Sequence, residues 1–124
     1  MHDFENKTFD IRERVFNYAL VAIKLYQYLV EEKTGSGRIL GKQYLRSATS
    51  IGANIEEAQS GESKADFIHK FSIAQKETKE NLYWLKLLEK SSIVSQNSVM
   101  FLIRETDEII AIITTIIKNA KNNK

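Results

Sequence analysis

The chain has 124 residues, of which 43% are hydrophobic and 27% charged, with a net charge of +2 and no cysteine. That size and balance fit a single globular domain over residues 1–124 and argue against a disordered or membrane-embedded chain. Without cysteine there can be no disulfide, iron–sulfur cluster or thiolate-held zinc.

The start of the chain, Met1-His-Asp-Phe-Glu-Asn-Lys7, lacks the basic-then-apolar pattern of a signal peptide, and His2 reads as part of a frayed terminus. The longest apolar run, Ile109 to Ile117, is about half the ~20 residues needed to span a bilayer. Both features predict a cytoplasmic protein with no membrane partner. Proline is absent, so punctuation falls to glycine, serine and asparagine.

The first segment carries Ile11, Val15, Tyr18, Ala22, Leu25 and Leu29, spaced alternately four and three residues apart. That is one face of a helix. Asp10 is its candidate N-cap, with Glu13 completing a capping box. The polar stretch Lys33-Thr-Gly-Ser-Gly-Arg38 ends it. The second segment repeats the spacing through Tyr44, Ala48, Ile51, Ile55 and Ala58, and is rich in small residues, including Gly41 and Gly52. Glycine inside a helix costs about 1 kcal/mol against alanine, so close approach of another helix is expected there.

Gln59-Ser-Gly-Glu-Ser63 makes the second break, and Ser63-x-x-Asp66 caps the third helix. Its apolar face is expected through Phe67, Phe71, Ala74, Thr78, Leu82 and Leu85, widened by Tyr83, Trp84, Leu87 and Leu88. Ser91 to Ser98 forms the third break. The fourth segment holds Val99, Phe101, Leu102, Ile103 and the isoleucine-rich run to Ile117. β-Branched residues favour strands, but Arg104 to Glu108 lead into the run without a break, so helix is predicted. Four helices with short connections give an all-α, antiparallel up-down-up-down bundle. The apolar stripe of the fourth helix is wider than one core face needs, which predicts burial against a second copy.

Catalytic chemistry finds little footing. A di-metal carboxylate centre needs paired Glu-x-x-His motifs, whereas Asp66-Phe-Ile-His69 stands alone and His69 reads as a surface residue. No nucleophile elbow or phosphate-binding loop is present. The chain is therefore expected not to be an enzyme and to carry no metal or cofactor. Ser47, Ser50, Asn54 and Glu57 share the second helix, with Ser50, Asn54 and Glu57 on one face, a polar line beside the core of the kind that fixes register or oligomer state.

The suggestive pattern is basic. Arg38, Lys42 and Arg46 are spaced four residues apart on the second helix, at the bundle end that also carries Lys86 and Lys90. Together these five residues are the candidate nucleic-acid site, since clustered cations hold phosphates. Lys118, Lys121 and Lys124 mark the opposite end. Two ordinary accounts compete: lysines complement helix C-termini, and Glu31, Glu32 and Glu89 can neutralise the first cluster.

The stretch Leu45-Arg-Ser-Ala-Thr-Ser-Ile-Gly-Ala-Asn-Ile-Glu-Glu-Ala-Gln-Ser-Gly61, followed by Ser63-Lys-Ala-Asp-Phe-Ile-His-Lys-Phe-Ser-Ile-Ala74 and Lys76-Glu-Thr-Lys-Glu-Asn-Leu-Tyr-Trp-Leu85, resembles the four helix bundle protein family. Members were first noticed as reading frames inside intervening sequences of bacterial large-subunit ribosomal RNA genes. The resemblance covers nearly the whole chain and places the family motif on Arg46, Ser47, Ser50, Asn54, Ile55 and Glu56. It implies a homopentamer, related to the basic, nucleic-acid-binding accessory protein of diversity-generating retroelements. Where that family shows an acidic-glycine pair followed by aromatic and basic residues, this chain has Glu57-Ala-Gln-Ser-Gly61. The departure counts against a role inherited from the retroelement relative.

The expectation is a non-catalytic homo-oligomer that binds RNA or DNA through basic bundle ends. The rival is a scaffold that docks a partner protein without nucleic acid.

Overall fold

The computed structural model of the protein describes residues 3–32, 35–61 and 63–123, with side chains from Ile11 onward. Four helices follow in chain order: α1 (Asp3–Glu32), α2 (Ser36–Gln59), α3 (Lys64–Lys90) and α4 (Gln96–Asn122). Each packs on the next, and α1 meets α4 along the thinnest seam. This is the all-α, up-down-up-down bundle expected from the apolar spacing. Arg14 bridges the thin seam by pairing with Glu105 at 2.6 Å and Glu108 at 3.1 Å. Hydrogen bonding to Glu105 raises the guanidinium pKa above its ordinary value, against the partial burial that lowers it.

The helix ends follow local chemistry, with one correction. α1 already runs from Asp3, so Asp10 lies inside the helix and is not its cap. Residues 3–10 contain neither glycine nor proline, and an established helix propagates through such sequence. Gly35 precedes α2 with φ of 61°, a left-handed conformation in which a side chain is strained. The Ser63 hydroxyl accepts the Asp66 N–H at 3.1 Å, the expected cap of α3. Ser95 does the same for Ser98 at 3.3 Å and starts α4. The expectations for His2, Lys33, Thr34, Glu62 and Lys124 fall outside the described residues.

The core is built from the predicted stripes. Ile11, Val15, Tyr18, Ala22 and Leu29 of α1 are buried, with Leu25 packed against them. All five apolar positions predicted for α2 are buried as well. Gly41 is the close approach expected on that helix. A Cβ there would sit 2.7 Å from Leu29 Cδ1, whereas at Gly52 the nearest atom would be 3.6 Å away.

On α3 the buried line runs Phe71, Ala74, Thr78, Asn81, Leu85 and Leu88. Asn81 therefore takes the place expected for Leu82, which is only half-buried. The reason is a hydrogen-bond chain across all four helices. The Ser47 hydroxyl (α2) donates to Asn81 Oδ1 (α3), and Asn81 Nδ2 donates to the Tyr18 hydroxyl (α1). Tyr18 and Thr106 (α4) are 2.6 Å apart, and the Thr106 hydroxyl donates to the Leu102 carbonyl at 2.6 Å. With the Thr106 proton committed there, Tyr18 is the donor between the two hydroxyls. A buried amide is tolerated because each of its polar ends has a partner.

Beside this chain Tyr44 packs edge-on to Tyr18, with ring centroids 6.3 Å apart. Its buried hydroxyl has no hydrogen-bond partner among the described residues. Tyr44→Phe should therefore leave stability unchanged or raise it by up to about 1 kcal/mol, read from urea unfolding. A loss larger than that would mean the hydroxyl is satisfied in solution.

The surplus apolar surface lies elsewhere than expected. The α4 stripe is absorbed within the chain: Ile109, Ile113, Ile116 and Ile117 are buried, and Ile103 and Ile112 pack against them. Phe101 alone among its large apolar residues is exposed. α1 is the helix with the excess, since Phe16, Leu20, Val21 and Ile23 all stand exposed.

Candidate nucleic-acid interface

The five predicted phosphate ligands do not form one patch. Arg38 turns toward α1, where its Nη2 donates to the Val30 carbonyl at 3.0 Å. Arg46, two turns along, faces α3 and pairs with both Glu77 and Glu80. Each four-residue step advances about 40° around a helix, so the two steps from Arg38 to Arg46 drift from one neighbour toward the other. Arg46 thus has its charge matched inside the bundle. Lys42, Lys86 and Lys90 are exposed and make no ion pair among the described residues.

Lys86 and Lys90 belong to a longer line on α3. Lys76, Lys79, Tyr83, Lys86 and Lys90 follow at intervals of three and four residues, all of them exposed. They share the outward face of the helix. From Lys76 to Lys90, 14 helical rises, this face extends about 21 Å. None of its four lysines joins an ion pair among the described residues, and none of its positions is acidic. The acids of the middle of the helix, Glu77 and Glu80, turn instead toward Arg46. Segregation of this kind leaves a positive ridge without ion pairs among the described residues, on a protein of small net charge.

Sequence reasoning missed Lys76 and Lys79 because Glu77 and Glu80 lie next to them, so the segment reads as mixed charge. The spacing was there to be found, since removing every residue on the Phe71–Leu88 face leaves lysine and tyrosine on the opposite one. Lys118 and Lys121 are exposed at the far end of α4. Among the described residues no three metal-ligating side chains converge, and Asp66 and His69 both lie exposed.

The family-motif residues tie the bundle together. Ser47 enters the buried chain, while Asn54 donates to the Ser50 carbonyl at 2.8 Å. Ile55 is fully buried. Glu56 receives two hydrogen bonds from Arg12 of α1, at 2.9 and 3.1 Å. That pairing holds its carboxyl below the usual carboxylate range. Just beyond the motif, Glu57 pairs with Lys70 of α3 at 2.7 Å. Among the described residues, every polar side chain of the motif but Ser50, whose carbonyl alone is engaged, thus makes a hydrogen bond within the chain.

The fold is shared with a known structure. A crystal structure of a protein of unknown function from the S23 ribosomal protein family of Bacteroides thetaiotaomicron superposes with a TM-score of 0.84 at 36% identity, covering 90% of this chain and 98% of that one. No described helix is long and apolar enough to cross a membrane. No curated protein matches the sequence. The family model described as 23S rRNA-intervening sequence protein matches residues 7–115. The chain belongs to the 23S rRNA-intervening sequence protein family.

Proposed function

We propose that this chain is a non-catalytic bundle that assembles with copies of itself and binds nucleic acid through the outward face of α3. The observation that carries the reading is the ridge of Lys76, Lys79, Lys86 and Lys90, unpaired and free of acids among the described residues. Four cations on a ~21 Å line match a polyanion better than any compact ligand. Binding of labelled structured RNA and duplex DNA to the purified protein tests this. Affinity at ~50 mM salt that falls steeply toward ~200 mM supports phosphate contacts. Absence of binding at low salt overturns it and returns the protein-scaffold reading.

Self-association rests on α1. Phe16, Leu20 and Ile23 line one exposed stripe beside a groove floored by Val15, Ala19, Gly52 and Ala53. Exposed apolar stripes of this kind are ordinarily covered by another chain, and a second copy is the occupant that the family resemblance implies, with five copies as the count. The replacement of Leu20 and Ile23 by glutamate should convert the protein to monomer in light scattering while the helical circular dichroism is retained. An unchanged mass would place the interface elsewhere.

A further inference from the structure

The lysine face of α3 carries one residue that phosphate binding does not require. Tyr83 sits at its centre and is 58% exposed. Lys79 lies four residues before it and Lys86 three residues after, so a cation flanks the ring one turn away on either side.

The ring is held from behind. Trp84 meets it edge-on, with centroids 5.2 Å apart and planes inclined by 65°. Trp84 is itself half-buried, and its Nε1 donates to Glu80 at 3.0 Å. Glu80 is fixed in turn by Arg46 of α2. The motif arginine therefore braces an aromatic pair at the surface through Glu80. A braced ring loses little freedom when a ligand settles on it.

We propose that Tyr83 is a base-stacking platform and that the ligand of this face is single-stranded nucleic acid. The inference rests on the nucleic-acid reading above and narrows it. An unpaired base has a free π-face that can lie on the tyrosine while its flanking phosphates reach Lys79 and Lys86. A duplex keeps its bases stacked inside and can offer the ridge only phosphates. One charge opposes this placement. Gln75 donates to Thr114 at 2.9 Å, which sets the antiparallel register and brings Asp107 of α4 about level with Leu82. Arg104, one turn earlier on α4, stands near the level of Lys86 and offsets it.

The test compares a mixed-sequence single-stranded RNA with a duplex of the same length, by fluorescence anisotropy at low salt. Tyr83→Ala should weaken single-strand binding roughly ten-fold and leave duplex binding within two-fold. Tyr83→Phe, which keeps the ring, should bind as the parent does. Trp84 is the only tryptophan, so its emission should also fall when single strand binds the parent, and fall less in Tyr83→Ala. Equal losses for single strand and duplex, or no loss for either, overturn the stacking assignment. If Lys79→Gln with Lys86→Gln weakens both ligands while Tyr83→Ala weakens neither, stacking falls and the phosphate reading stands. If the parent binds neither ligand, both fall together.

Discussion

Asn81→Ala is expected to lower the free energy of unfolding by about 2–3 kcal/mol at fixed protein concentration. The substitution removes two buried hydrogen bonds, one from Ser47 and one to Tyr18, and leaves a cavity where the amide stood. Ser47 can still donate to the Gln43 carbonyl at 3.2 Å or the Tyr44 carbonyl at 3.1 Å, and Tyr18 can still donate to Thr106. Neither hydroxyl is therefore fully orphaned, which keeps the loss below that of an unpaired buried group. A double-mutant cycle with Tyr18→Phe should return a coupling of about 1 kcal/mol, since both residues belong to one network. Urea unfolding with unchanged slope is the readout, and a loss under ~0.5 kcal/mol would show that the chain does not hold the helices in register.

The same tyrosines set the alkaline limit. Burial pushes both hydroxyls up from their ordinary value of 10.0, Tyr18 against the hydrogen bonds it makes. A raised folded-state pKa means that the folded chain holds its proton longer than the unfolded one. Their contribution is complete below the unfolded value of about 10 and is lost as pH rises beyond it. Stability should thus decline above about pH 10, and less so in Tyr44→Phe, as thermal melts across that range would report.

Replacing Lys76, Lys79, Lys86 and Lys90 by glutamine should abolish measurable nucleic-acid binding at ~150 mM salt and leave the melting temperature nearly unchanged. The fold should survive because none of the four makes an ion pair among the described residues. Arg46→Gln should behave in the opposite way. It frees Glu77 and Glu80 from their partner and loosens Trp84, with a stability cost of up to about 1 kcal/mol for an exposed pair. Its effect on duplex affinity should be small, because its charge is already matched.

The bundle was legible in the sequence because apolar residues at helical spacing leave few arrangements for four short-linked helices. Two details of packing were not. Leu82 looks the better core residue than Asn81 on hydropathy, and only the hydroxyls of Tyr18 and Ser47, distant in sequence, reverse the choice. The isoleucines of α4 suggest an outward apolar face, yet α3 and α1 cover most of them. The excess on α1 was visible as Phe16, Leu20, Val21 and Ile23 lying off the Ile11–Leu29 stripe.

The candidate interface was half legible for a related reason. Charge in a sequence is read by proximity along the chain, whereas neutralisation happens across helices. Arg46 looks free until Glu77 and Glu80 of the next helix are placed against it. Lys76 and Lys79 look neutralised until those same acids are seen to turn away. Lys86 and Lys90 are exposed, as members of a different line.

The slope of log affinity against log salt, measured for the parent and for the four-lysine variant on one single-stranded RNA, tests this account most directly. Contacts from four lysines should give the parent a slope of about −3, so that affinity drops roughly fifty-fold or more between ~50 and ~200 mM salt, while the variant's slope is close to zero. A parent slope near zero, or a steep slope that persists without the lysines of α3, would contradict it.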